Sequence, residues 1–170
     1  MKAIVAMDLN RVIGYKNKIP WHIADDYKWF NEFTMDKTLI VGRKTFDGLP
    51  KLKGRDCFVV TTDPSATFGF YPVKKNKCGF VGKFVPARQI SEVMESRKEE
   101  VEKEWIVAGG AQTYSLLLPY CSEIYVSHII DDYEGDTFMP EFESQFPNQT
   151  IIREEKDFWI VKYTGRYDYL

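Results

Sequence analysis

Thr38-Leu39-Ile40-Val41-Gly42-Arg43-Lys44-Thr45 joins an apolar run, a glycine and a pair of bases. An unbroken Leu-Ile-Val run with no polar alternation reads as a strand buried on both faces. Gly42 ends it, and Arg43-Lys44-Thr45 opens a short helix that Pro50 stops. A strand, a glycine and a basic helix start supply the parts of an anion site, because free N–H groups and a guanidinium converge there. Two solvated bases on a surface turn would read the same way, and the full phosphate loop G-x-x-x-x-G-K-[ST] is absent.

The same grammar recurs on either side. Residues 2–8 and 57–62 are compact apolar runs, and Trp105-Ile106-Val107-Ala108 runs into Gly109-Gly110 and a helix from Gln112 to Leu118. A helix at 24–34 and a charged amphipathic helix at 88–103 separate these strands. Glu123 to Ile130 reads as a further strand, and 149–156 with 158–168 read as a closing antiparallel hairpin with aromatic alternation at Tyr163, Tyr167 and Tyr169. In the interval 65–86, Phe68, Phe70 and Tyr71 suggest one short strand and Phe80-Val81 another, with Lys74-Lys75-Asn76-Lys77 between them as a solvated turn. Strands alternating with helices make one α/β domain over residues 1–170: a central mixed, mostly parallel sheet with about four helices and a C-terminal antiparallel hairpin. Ligands in such folds bind at the carboxyl ends of the parallel strands, here Met7, Gly42, Thr61 and Gly109.

Pro20-Trp21-His22-Ile23-Ala24-Asp25-Asp26-Tyr27-Lys28-Trp29-Phe30 leads from a proline turn into the first helix. At 100° per residue Asp26 shares a stripe with Trp29, Phe30 and Phe33, whereas Asp25 falls with Lys28 and Glu32. Asp25 is explained as a first-turn acid complementing the helix dipole. Asp26 faces aromatic rings, where burial favours the neutral acid, and is a candidate for proton chemistry; a side chain curled back to the helix end is the structural alternative. The preceding loop, Leu9 to Ile23, carries Val12, Ile13, Ile19 and Trp21, as a flap packed over something would.

Composition narrows the class. A net charge of −2 gives no general case for nucleic acid or anionic membranes, and no apolar stretch reaches membrane-spanning length. Cys57, Cys78 and Cys121 form neither a zinc pattern nor a disulfide framework, so no metal is expected and a reducing, cytoplasmic setting is. Aromatic residues make up 15% of the chain, which points to a core or pocket rich in rings.

Along nearly its whole length the chain resembles dihydrofolate reductase. The resemblance rests on Asn10-Arg11-Val12-Ile13-Gly14, Pro20-Trp21 followed by Asp26 and Trp29-Phe30, Gly42-Arg43-Lys44-Thr45-Phe46, Gly54-Arg55, Ala108-Gly109-Gly110 and Glu134-Gly135-Asp136-Thr137, in that order and spacing. It implies reduction of 7,8-dihydrofolate to tetrahydrofolate with NADPH, in service of one-carbon and thymidylate metabolism, by a monomer open to antifolate-type small molecules. It implies that Asp26 is the acid of the pocket, with Trp21 and Tyr114 beside the chemistry. Ile4, Ala6, Tyr27, Phe30, Leu49, Arg55, Ala108 and Ser127 would then meet the substrate, Arg55 through its glutamate carboxylate. Ala6, Ile13, Gly14, Asn17, Lys18, Gly42, Arg43, Lys44, Thr45, Thr61, Thr62, Gly109, Gly110, Ala111, Gln112, Thr113, Tyr114 and Thr137 would meet NADPH. Arg43 would recognise the 2′-phosphate, the Gly109-Gly110 bond would be cis, and residues 37–104 would form an adenosine-binding lobe.

The chain departs from the family pattern at three points. Ala108 stands where a larger branched residue is usual, Ala24 replaces a frequent proline, and Tyr27 replaces an apolar residue; these bear on inhibitor affinity and KM more than on the reaction. The segment 65–86 is longer than in compact bacterial members. A related fold reduces a pyrimidine sugar intermediate, but Asp26 with Arg55 favours a folate. A silent binding protein is disfavoured by intact Asp26, Arg43 and Gly109-Gly110. His128 reads as a structural histidine on its strand and His22 as a flap residue.

Overall fold

The structure, a computed structural model, describes residues 1–63 and 73–165. Phe68, Phe70, Tyr71, Tyr167 and Tyr169 lie outside the described residues. Among the described residues the sheet has nine strands: β1 (Lys2–Asp8), β3 (Thr38–Gly42), β4 (Asp56–Thr61), β5 (Val73–Lys75), β6 (Val81–Pro86), β7 (Trp105–Val107), β8 (Glu123–Ile129), β10 (Asn148–Glu154) and β11 (Phe158–Thr164). Its order is β10-β11-β8-β1-β7-β3-β4-β6-β5, with parallel pairing from β8 through β6 and antiparallel pairing at both edges. The expected mostly parallel sheet with an antiparallel C-terminal hairpin is therefore present.

Side chains alternate across this sheet. On β1, Ala3, Val5 and Met7 enter one core and Ile4 another, while Ala6 packs beside Trp21. The first core is covered by α3 (Ile90–Ser96), α4 (Lys98–Glu104) and α5 (Ala111–Leu117). The second meets Trp29, Phe30 and Phe33 of α1 (Ala24–Thr34) and Phe46 of α2 (Arg43–Gly48). Burying Leu39, Ile40 and Val41 completely removes both faces of β3 from water, each side chain contributing about 1.5–3 kcal/mol.

Among the described residues five α-helices form where about four were expected, because the run at 88–103 divides. Ser96 Oγ donates back to the Val93 carbonyl, and Arg97, at φ −127° and ψ 27°, interrupts the helix before Glu100 accepts from Trp105 Nε1. No glycine or proline marks that break. Lys74 and Lys75 lie on a strand and not in a turn: β5 is exposed along its length, and its backbone pairing with β6 stabilises it more than side-chain burial does. The flap also contains a strand, β2 (Val12–Gly14), which pairs with β9 (Thr137–Phe138) more than a hundred residues later.

Candidate active site

Asp26 enters the site from the first turn of α1 as its periodicity requires: it is half-buried while Asp25 is exposed. Desolvation raises its proton equilibrium above the ordinary carboxylate value, opposed by the Ser127 hydroxyl and the Trp21 indole. Ser127 is buried on β8, level with Ala6 on β1. Trp21 is also buried, tilted against Tyr133 at 5.2 Å, and its Nε1–H has no hydrogen-bond partner of normal length among the described residues. An indole donor buried in this way is normally satisfied, so it suits a polar atom arriving with a substrate or a bridging water.

Ile4, Phe30, Leu49 and Ala108 join one apolar cluster beside this acid. Tyr27 lies apart from it: 40% exposed, its ring faces His22 at 5.5 Å. Arg55 is anchored at the far end of α1, with Nε donating to Thr34 Oγ1, Nη1 to the Lys53 carbonyl, and Nη2 to the Asn31 carbonyl and Oδ1. One Nη1 donor remains, so a two-pronged grip on a carboxylate requires Arg55 to release a partner.

The carboxyl ends of β3 and β7 meet directly. Gly42 N–H donates to the Gly109 carbonyl at 2.8 Å, and the Gly109-Gly110 peptide is cis. A Cβ on Gly42 would stand 2.8 Å from Thr113 Oγ1, so a side chain there would close the gap between the two strand ends. Thr45 lies against Gly109 and Gly110, Thr113 is buried, and the buried Tyr114 hydroxyl donates to the Ile4 carbonyl at 2.7 Å. Burial drives the Tyr114 phenol well above its ordinary value, so it acts as a neutral donor. Both α2 and α5 begin at a glycine without a side-chain cap and without an acid in the first turn. Their free N–H groups fit a pyrophosphate, which is the test that a dinucleotide cofactor must pass here.

Arg43 opens a groove of about 110 Å³ lined also by Asp47, Thr61, Asp63, Lys74 and Lys75. Thr61 is buried and accepts the Asp63 N–H; Thr62, Lys44 and Gln112 are exposed, and Ala111 is half-buried. Sequence reasoning missed Lys74 and Lys75, whose strand carries no alternation to find. It also missed Asp8, a fully buried carboxylate that accepts N–H bonds from Asn10, Val12 and Tyr133 and so fixes the flap's base.

The flap is tied down along its length. Asn17 stands with Lys16 at positive φ in a tight turn closed by the Tyr15–Lys18 backbone pair. Asp136 accepts the Lys16 N–H, its own N–H reaches the Gly14 carbonyl, and Thr137 pairs with Gly14. Lys18 is exposed at the tip and Ile13 is half-buried.

A cavity of about 520 Å³ on the opposite face of the sheet is lined by Arg11, His128, Glu143, Trp159 and Tyr163. Its polar groups satisfy one another: His128 Nε2 meets Tyr163 Oη at 2.9 Å and Arg11 pairs with Glu143. Burial lowers His128 below its ordinary value, as a structural histidine requires. No His/Cys/Asp/Glu group suited to a metal occurs among the described residues.

The family model for dihydrofolate reductase matches residues 1–161. The dihydrofolate reductase of Bacillus subtilis (strain 168) is 33% identical over 168 residues, covering 98% of this chain and 90% of that one. The enzyme of the same name from Enterococcus faecium is 31% identical over 164 residues, covering 95% and 88%. Among solved structures, dihydrofolate reductase from Enterococcus faecalis complexed with NADP(H) and RAB-propyl superposes with a TM-score of 0.73 at 28% identity, covering 97% of this chain and 95% of that one.

Proposed function

The chain belongs to the dihydrofolate reductase family, and from that premise we propose how its residues divide the reduction of 7,8-dihydrofolate to 5,6,7,8-tetrahydrofolate. When bound, NADPH supplies the hydride, which reaches pterin C6 while N5 gains a proton. Asp26 holds the pterin's 2-amino group and N3, and raises the availability of a proton for N5 through water. Its half-buried carboxyl, lifted by desolvation and faced by Ser127 and Trp21, is the observation that carries this assignment. Trp21 contributes its indole donor, while Ile4, Ala6, Phe30, Leu49 and Ala108 provide apolar walls that exclude water. Tyr27 borders the entrance, and Arg55 turns from Asn31 toward the glutamate tail.

Gly42, Thr45, Gly109, Gly110, Ala111, Gln112 and Thr113 hold the cofactor's pyrophosphate side. Tyr114 is the buried donor that braces β1 beneath the reacting rings. Arg43, with Lys44, Thr61 and Thr62, receives the adenosine phosphates, and Lys74 and Lys75 add charge to the same groove. Ile13, Gly14, Asn17, Lys18 and Thr137 cover the nicotinamide side as the flap and its partner strand. The unit works as a single domain with its adenosine lobe at 37–104, as a cytoplasmic monomer, and accepts antifolate-type ligands at Asp26; the near-neutral charge supports a partner list without nucleic acid. No helix among the described residues is long and apolar enough to cross a membrane. NADPH oxidation on addition of dihydrofolate tests the reading: turnover requiring both is expected, and none by folded protein would overturn it.

A further inference from the structure

Asn76 sits in the turn between β5 and β6 and uses all four hydrogen-bonding positions of its side-chain amide. Nδ2 donates to the Phe46 carbonyl at 2.7 Å and to the Leu49 carbonyl at 2.8 Å, while Oδ1 accepts from Cys78 N–H and Phe80 N–H, both at 3.0 Å. The two halves do different work. The acceptor half builds the turn, in the manner of asparagines that bond their own backbone two residues on. The donor half reaches back to the carboxyl end of α2: it meets the Phe46 carbonyl, which also accepts the Leu49 N–H, and the carbonyl of Leu49 just past the helix end. Leu49 is the extended residue that caps α2, and its side chain joins the apolar cluster with Phe30 and Ile4. Arg43 starts the same helix, and Lys74 and Lys75, which immediately precede Asn76, line the groove with it, alongside Asp47 and Asp63.

We propose that Asn76 is a positioning residue for the cofactor's phosphate end: by capping α2 from the neighbouring turn, it fixes Arg43 relative to Lys74 and Lys75, and it holds Leu49 in the substrate pocket. This rests on the assignment of the Arg43 groove to the adenosine 2′-phosphate. α2 is under two turns long: the buried Phe46 ring anchors its middle, and the bonds from Asn76 fix its carboxyl end. A phosphate monoester bridging bases on two elements requires their spacing to be held before it arrives, since ordering them on binding costs affinity. Charge alone would place three bases in the groove; Asn76 makes their separation constant.

Two neutral variants separate the turn from the clasp. Asn76→Ala removes both halves, whereas Asn76→Ser keeps a hydroxyl able to accept within the turn but too short to reach α2. Calorimetric titration with adenosine 2′,5′-bisphosphate and with adenosine 5′-monophosphate reads the groove without turnover, and circular dichroism checks that each variant is folded. Both variants should bind the bisphosphate about tenfold more weakly, the worth of one to two hydrogen bonds, and lose most of the preference over the monophosphate. KM for dihydrofolate should rise a few-fold, with kcat within about twofold of the parent's. Wild-type bisphosphate affinity in folded Asn76→Ser would overturn the positioning role, and so would equal weakening of both nucleotides. Arg43→Ala distinguishes the underlying reading. If it leaves bisphosphate binding unchanged, the groove assignment falls and takes this inference with it; if it weakens binding while Asn76→Ser does not, only the role of Asn76 falls.

Discussion

Gly135 lies beneath the flap, and a methyl group there is expected to push the flap away from its partner strand. A Cβ at this position would stand 2.3 Å from Val12 Cγ1, 2.8 Å from Cγ2 and 3.0 Å from Cβ. Carbon atoms in contact prefer about 3.5–4.0 Å, so one side must retreat by roughly 1 Å or more. Val12 cannot do so cheaply: it is 2% exposed and packed with Trp21, Ile129, Phe158 and Ile160. Overpacking of this kind costs about 1–3 kcal/mol, and the easiest relief is loss of the β2–β9 pairing. Urea unfolding of Gly135→Ala should therefore show about 2 kcal/mol of destabilisation, with KM for NADPH raised as the flap loosens. In a Val12→Ala background the contacts at 2.3 and 2.8 Å are gone and only the one to Cβ at 3.0 Å remains, so the same glycine substitution should cost less by about 1 kcal/mol. Equal costs in the two backgrounds would show that Val12 is not the obstacle, and the packing account of the flap would be wrong.

Three other expectations follow from single groups. Arg43→Ala should weaken NADPH by roughly ten- to a hundredfold, the worth of a charge-assisted hydrogen bond, and NADH far less; matched losses in a binding titration would contradict 2′-phosphate recognition. Burial opposes ionisation of Glu123, but Lys162 at 2.5 Å, Lys2 at 3.1 Å and the Tyr125 hydroxyl outweigh it and hold the carboxyl below its ordinary value. Its stabilising contribution is present above the unfolded-state value and is lost as pH falls through the lower folded one. Glu123→Gln should thus be less stable at pH 7 by up to about 1 kcal/mol, the partners being solvent-screened, and indistinguishable in strong acid. For Asp26 the sign reverses, because desolvation raises the folded value. The protonated acid is tolerated at low pH, and stability is lost as pH rises through the folded value, so Asp26→Asn should unfold at higher temperature than the parent at neutral pH, with the gap closing in acid.

Helical periodicity distinguished Asp26 from Asp25 because eleven residues of one amphipathic helix carry that signal themselves. The buried parallel strands were equally legible, since β3 needs no neighbour to declare its apolar run. The parts that were not legible depend on distant partners. β5 is three exposed residues held by backbone pairing, so Lys74 and Lys75 look solvated until β6 is beside them. Asn76 acquires its role from carbonyls 27 and 30 residues earlier, and β2 from a strand beyond residue 130. The division of the 88–103 helix was hidden for another reason: Ser96 and Arg97 are ordinary helix residues, and the break shows only in the Ser96 bond back to Val93 and in the Arg97 backbone. Arg55 was legible as a residue but not in its state, because only the fold brings Asn31 and Thr34 to its guanidinium.

Single-turnover hydride transfer from NADPH to dihydrofolate, followed across pH for the parent and for Asp26→Asn, tests the central claim most directly. The parent rate should fall as pH rises through an apparent value above the ordinary carboxylate range, as expected for an acid lifted by desolvation. The asparagine variant should be much slower near neutrality and lack that titration, while binding adenosine 2′,5′-bisphosphate as before. A variant with the parent's rate and pH profile would show that Asp26 is not the group on which protonation depends.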